Sequence, residues 1–195
     1  MTDEATALSE RTRRLGTVLL ALLFVAGWAV LMFVMSPAEL VDSLGVEQAY
    51  LVVFLLGVIG ALASMTTFST YPAIVTFAVG GMNPIGLVLV TALGLTIGDW
   101  LFYSLVTRVK GLLGGKLHDR TLQLERWLDG LPDRRVQVVT FVWVGLLPLA
   151  NNILTGALAI GGYHFRRIVI PIALGNTVFP SGVAILAIQG VELYA

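Results

Sequence analysis

The stretch FAVGGMNPIGLVLVTALGLTI at residues 77–97 returns in altered form at residues 158–178 as LAIGGYHFRRIVIPIALGNTV. Aligned without a gap, the two share Ala78/Ala159, Gly80/Gly161, Gly81/Gly162, Ala92/Ala173, Leu93/Leu174, Gly94/Gly175 and Thr96/Thr177, with Val/Ile exchanges between them. One shared tripeptide would carry no weight. This many identities in fixed order indicate a duplicated unit.

Composition says where such a unit resides. Of 195 residues, 57% are apolar and 12% charged, with a mean hydropathy of +0.89. An ordinary soluble domain carries about 25% charged residues, so an integral membrane protein is expected. A formal net charge of zero gives no reason to expect a nucleic-acid partner. The absence of cysteine excludes disulfides, thiolate metal sites and a cysteine nucleophile.

A helix crossing a bilayer core needs about 20 apolar residues. Residues 15–35, 85–107 and 168–190 meet that length. Residues 50–82 and 136–163 are apolar but interrupted, by SMTTFSTYP at 64–72 and by PLANN at 148–152. Each is too short for two crossings and long for one, and each reads as a hairpin that enters and returns.

The basic residues set the orientation. They fall in three groups: Arg11, Arg13 and Arg14; Arg108, Lys110, Lys116, Arg120, Arg126, Arg134 and Arg135; and Arg166 with Arg167. The loop 36–49 and the tail 191–195 carry only acids, Glu39, Asp42, Glu47 and Glu192. Cytoplasmic flanks are rich in Lys and Arg, so the N-terminus is expected inside and the C-terminus outside. The fold expected is an all-α integral membrane protein: an inverted-topology repeat of re-entrant hairpin plus transmembrane helix, preceded by one N-terminal transmembrane helix. In its parts, residues 1–14 form a cytoplasmic tail and 15–35 an anchor helix, with RTRR before a span that reads as retained rather than cleaved. The membrane domain at 45–190 then comprises hairpin 50–82, span 85–107, cytoplasmic segment 107–135, hairpin 136–163 and span 168–190. Inverted repeats meet near the midplane, where interrupted helices expose backbone to a shared cavity. The glycines Gly80, Gly81, Gly94, Gly161, Gly162 and Gly175 mark the repeat, and close helix packing is their simpler use.

This order of elements resembles the DedA, or VTT-domain (SNARE-associated Golgi protein), superfamily over residues 45–190. The resemblance rests on Pro72 and Gly80; on Gly98, Asp99 and Tyr103; on Arg108 and Gly111; and on Pro148, Thr155, Gly156, Phe165 and Arg166. It implies a protein that moves or scrambles lipids and supports membrane homeostasis. Two family features are absent. Where the first hairpin of that family often reads P-x-E, this chain has Pro72, Ala73 and Ile74. Where the second reads R-x-x-P-x-x-R, it has Gly145, Pro148 and Asn151. Phosphate recognition and proton coupling through those positions therefore do not carry over.

The candidate lining residues of a substrate path are Thr67, Pro72, Asp99, Pro148, Asn151 and Asn152. Asp99 is the ionisable residue placed within an expected span, where an acid costs about 2.5 kcal/mol or more. Its alternative is a structural pairing with Arg108 or the basic loop. Ser64, Thr66, Thr67, Ser69, Thr70 and Tyr71 either line a path or bond carbonyls freed beside Pro72. Asn151, Asn152 and Asn176 offer uncharged donors and acceptors for a ligand or for helix ends.

Leu117, Thr121, Leu124, Leu128 and Leu131 form a helical stripe beside Trp127, with Lys116, Arg120 and Arg126 placed for anionic head groups. The alternative is that these charges only fix orientation. His118 and His164 stand apart and suggest no metal site, and Trp28, Trp100 and Trp143 suit packing or the interface. No catalytic motif is recognisable, so neither enzymatic activity nor a cofactor is expected. The expected partners are membrane lipids, with self-association into a homo-oligomer allowed, in a prokaryotic cell membrane. Lipid or amphiphile translocation is the leading function. Small-solute or drug export and a non-transporting assembly role are the alternatives.

Overall fold

The structure, a computed structural model, describes residues 37–62, 67–110, 126–128, 130–147 and 151–194. The expected tail and anchor helix at 1–35, Pro148 and most of the segment 107–135 lie outside the described residues, as does the side chain of Thr67. Seven α-helices are described: α1 Pro37–Leu44, α2 Val46–Leu62, α3 Thr67–Val79, α4 Pro84–Lys110, α5 Asp133–Leu146, α6 Asn151–Ile160 and α7 Phe165–Tyr194. No strand occurs among the described residues.

Local chemistry accounts for the helix ends. Gly45, at φ 82°, closes α1 with its N–H donating to the Val41 carbonyl at 2.8 Å, the left-handed residue that suits glycine after a helix. Asn83 caps α4: its Oδ1 accepts from the N–H groups of Ile85 at 3.0 Å and Gly86 at 3.4 Å. Pro84 follows at the first helical position, where a missing N–H costs nothing. Arg108 and Lys110 occupy the last turn of α4, where cations complement the helix dipole.

α3 and α6 end alike. Gly81 has φ 89° and donates to the Ala78 carbonyl at 3.1 Å, while Met82 donates to Phe77 at 3.1 Å. Gly162 has φ 69° and donates to Ala159 at 3.2 Å, while Tyr163 donates to Leu158 at 3.0 Å. These residues are the ones that the gapless alignment pairs, and they are bonded in the same way.

α4 and α7 are long and apolar enough to cross a membrane; the qualifying stretches are Pro84–Lys110 and Phe165–Gly190. The distribution of side chains suits lipid surroundings. Large apolar residues face outward, Leu89 at 59%, Ile170 at 68% and Leu186 at 70% exposed, while Thr70, Thr91, Asp99, Thr140, Asn151, Thr155 and Asn176 are buried. A water-soluble domain rarely exposes large contiguous apolar patches.

Packing pairs the helices crosswise. α2 lies against α4, and α5 against α7. A Cβ on Gly94 would strike the Phe54 carbonyl of α2, and one on Gly175 would sit 2.8 Å from Val144 Cβ of α5; glycine permits both approaches. The short helices then cross over: α3 packs on α7 as well as on α2, and α6 packs on α4. α4 and α7 meet along the centre. One core joins Val53, Ala73, Ile74, Phe77 and Leu87 to Ala184 of α7. A second joins Val144, Leu158, Ile168 and Ile172, and it takes in Leu128 with Leu131 against its side. These last two leucines of the amphipathic stripe thus face protein, while Trp127 beside them is exposed. Pro72 lies inside α3, and Pro171 and Pro180 inside α7.

Candidate functional site

Where the start of α6 meets the two long helices, four polar side chains come together. α4 contributes Asp99 and, one turn earlier on the same face, Thr96. α7 contributes Asn176, and α6 contributes its first residue, Asn151. Asp99 is fully buried, Asn176 is 4% and Asn151 7% exposed.

Every described partner of the Asp99 carboxylate is an amide. Asn176 Nδ2 donates to Asp99 Oδ2 at 3.0 Å, and Asn151 Nδ2 donates to Asp99 Oδ2 at 3.2 Å and Oδ1 at 3.4 Å. Asn151 Nδ2 also donates to Asn176 Oδ1 at 3.4 Å, and Asn176 Nδ2 to Thr96 Oγ1 at 3.2 Å. Thr96 passes its own proton to the Ala92 carbonyl at 2.7 Å. Because Asn151 opens α6, the positive end of that helix lies close to the carboxylate. Asp99 is therefore held by dipoles, and no basic side chain reaches it among the described residues. The alternative of a pairing with Arg108 is not what the structure has.

Two amide atoms remain without a partner among the described residues: Asn151 Oδ1 and Asn152 Nδ2, both buried. Asn152 and Thr155 continue the buried polar face of α6, and Gly156 follows with its Cβ position 3.5 Å from the Phe102 ring of α4.

A groove of about 330 Å³ opens beside the cluster, lined by Thr96, Ile97, Trp100, Phe165, Arg166 and Val169. Thr96 belongs to both groove and cluster. The walls come from α4 and α7 and are apolar but for Thr96 and Arg166. Below it, Tyr103 Oη donates to the Tyr163 carbonyl at 2.8 Å, and Tyr163 Oη donates to Asp133 Oδ1 at 2.9 Å. Arg167 pairs with Asp133 at 3.1 Å on the exposed side. This second network ties α4, the turn before α7 and the start of α5 together.

Of the residues singled out in the sequence, Asp99 and Asn151 touch, and Asn176 joins them. Asn152 is buried on the same helix without joining the network. Pro72 lies on α3, outside the network. Among the hydroxyls of residues 64–71, Thr70 is fully buried and donates to the Leu56 carbonyl of α2 at 3.1 Å, the backbone-satisfying role. Tyr71 packs edge-on against Phe179 of α7 at 4.8 Å. Sequence reasoning missed Thr96 as a site residue, although its position three before Asp99 puts it on the same helical face. No group of three or more metal-ligating His, Cys, Asp or Glu side chains occurs among the described residues.

Comparison with protein-family models, curated proteins and solved structures finds no match to this chain.

Proposed function

We propose that this chain is a diverged DedA/VTT-like membrane protein that carries a lipid or other amphiphile past the junction of α4, α6 and α7. One observation carries the reading. A fully buried carboxylate and two asparagines form a polar cluster that adjoins, through Thr96, an apolar groove with Arg166 on its wall. An amphiphile needs both surfaces, an apolar one for its chain and a polar one for its head group. Polar groups at membrane depth are costly, and they mark pathways more often than scaffolding.

On this reading the two halves are inverted-topology repeats, and the pairs α2–α3 and α5–α6 are re-entrant hairpins. The equivalent glycine turns after α3 and α6 support it, as do the glycine contacts of Gly94 and Gly175 and the crossing of each short helix onto the long helix of the other half. The N-terminus lies in the cytoplasm and the C-terminus outside, in a prokaryotic cell membrane. The single Arg166 and the uncharged amides favour weakly selective, passive movement over tight phosphate recognition, which uses paired arginine forks.

The test is lipid exchange between leaflets in liposomes holding the purified protein, followed by chemical quenching of outer-leaflet fluorescent lipid. Quenching beyond that of protein-free liposomes is expected. Asp99→Asn and Asn151→Ala should each slow it about tenfold, as expected when one polar interaction along the path is removed. Quenching no greater than in protein-free liposomes would turn the reading toward small-solute export or an assembly role.

A further inference from the structure

α7 carries two prolines inside one helix, and their surroundings differ. A proline offers no N–H to the carbonyl four residues before it, and its ring presses on that carbonyl. Pro171 thereby frees the carbonyl of Arg167, and Gln137 of α5 supplies a new donor, its Nε2 lying 3.0 Å from that oxygen. Pro180 frees the carbonyl of Asn176 in the same way, and the bonds that tie Asn176 to α4 and α6 run through its side chain alone. No side chain among the described residues replaces the donor lost there.

The uncompensated break falls where α7 passes from one core to the other. The first half of the helix packs with α5 and α6 through Ile168 and Ile172, and its last part packs with α2 and α3 through Val183 and Ala184. Residues 173–182 belong to neither core. Within that interval Val178 lies against Gly145 of α5, whereas Phe179 meets Tyr71 of α3 at 4.8 Å between ring centroids. Helices bend sharply at prolines, and a missing hydrogen bond at the border of two packed bodies is where a bend disturbs the least packing. α4, with no proline after its first residue, runs unbroken beside both bodies.

We propose that α7 is a hinged helix: it bends between Asn176 and Pro180, and its first half, residues 165–175, swings with α5 relative to α4. The groove lies on that seam, with Thr96, Ile97 and Trp100 on the α4 wall and Phe165, Arg166 and Val169 on the moving wall. The structure holds the two walls together at both ends. Asn176 Nδ2 bonds Asp99 and Thr96 beside the hinge, and at the far end Tyr103 Oη donates to the Tyr163 carbonyl at 2.8 Å with its ring 5.2 Å from that of Phe165. Residues 165–175 span about 16 Å at about 1.5 Å per residue, so a change of about 20° in the bend moves the far end by about 6 Å. That the widened groove admits an amphiphile rests on the proposed translocation; the bend itself does not.

The experiment measures distances between spin labels on the full chain in lipid nanodiscs by double electron–electron resonance, with no native cysteine to interfere. Leu51→Cys on α2 and Val139→Cys on α5, both at exposed positions, report across the seam, and Leu51→Cys with Val75→Cys on α3 reports within one body. Two populations of distance are expected for the first pair and one for the second. Pro180→Ala restores the missing N–H and is expected to abolish the second population. Pro171→Ala, at a carbonyl that Gln137 already serves, is expected to leave both. Tyr103→Phe releases the far end and should raise the longer-distance population. A single unchanged distance within the one body shows that each variant has folded. One distance across the seam in both the unaltered background and Tyr103→Phe, or two populations that persist in folded Pro180→Ala, overturns the hinge. Two populations without lipid exchange in liposomes would uphold the hinge and sink the translocation reading, and exchange with a single distance would do the reverse.

Discussion

Asn152 keeps its amide nitrogen buried and, among the described residues, without an acceptor, an arrangement that costs about 1–3 kcal/mol. Leucine shares the branching of asparagine at Cγ, though it is bulkier, and has no donor to desolvate. Asn152→Leu is therefore expected to raise Tm in detergent by a few degrees and to lower lipid exchange in liposomes, since a residue kept for a ligand is dispensable for folding. A fall in Tm with exchange unchanged would instead assign the amide to structure. At this scale the sequence was informative about residue type and poor about partners. An acid inside an apolar span identified Asp99, and amides beside an interrupted segment identified Asn151. Their contact spans 52 residues, and that of Asp99 with Asn176 spans 77; no local pattern encodes either. The neighbour that charge suggested, Arg108, is nine residues along the same helix, about 13.5 Å at 1.5 Å per residue. Thr96 was legible only as a repeat match to Thr177, and the structure separates the two: Thr177 bonds back to the Leu174 carbonyl at 2.6 Å, whereas Thr96 accepts from Asn176 Nδ2 at 3.2 Å.

Glycines of one helix type have opposite uses in α4 and α7. Gly94 faces the backbone of α2 with no room for a methyl group, whereas an added Cβ on Gly182 meets nothing within 4 Å. Gly94→Ala is expected to destabilise by about 1–3 kcal/mol through overpacking. Gly182→Ala should stabilise by about 0.5–1 kcal/mol through helix propensity. Thermal unfolding of the two variants side by side checks the opposed signs, and a loss of stability in both would mean that α7 makes contacts at Gly182. The long helices were legible because apolar length is a one-dimensional property: the expected spans 85–107 and 168–190 lie within Pro84–Lys110 and Phe165–Tyr194. The interruption at 64–72 was legible only in part. Helix α3 starts at Thr67 and runs through Pro72, so a proline taken as part of the break is accommodated inside a helix. The apolar stripe ending at Leu128 and Leu131 shows the limit of periodicity, which locates a buried face without saying whether protein or lipid covers it.

The orientation of the whole chain has a direct test, since no native cysteine competes for label. Gln48 and Gly130 are both exposed. Gln48→Cys is expected to react with a membrane-impermeant maleimide on intact cells, and Gly130→Cys only after the cells are opened. Labelling of both from one side would remove the odd number of crossings between them and, with it, the inverted arrangement. The crosswise packing of α3 on α7 and of α6 on α4 also bears on how the molecule is made. A polypeptide is built from its N-terminus, and α7 is the last described helix to leave the ribosome. Until it arrives, α3 has only part of the surface it is shaped to fit, and the Asp99 carboxylate lacks the amide of Asn176. On the proposed membrane reading, the early helices would wait in the bilayer with a polar face uncovered until α7 arrives, sheltered only by what surrounds them there.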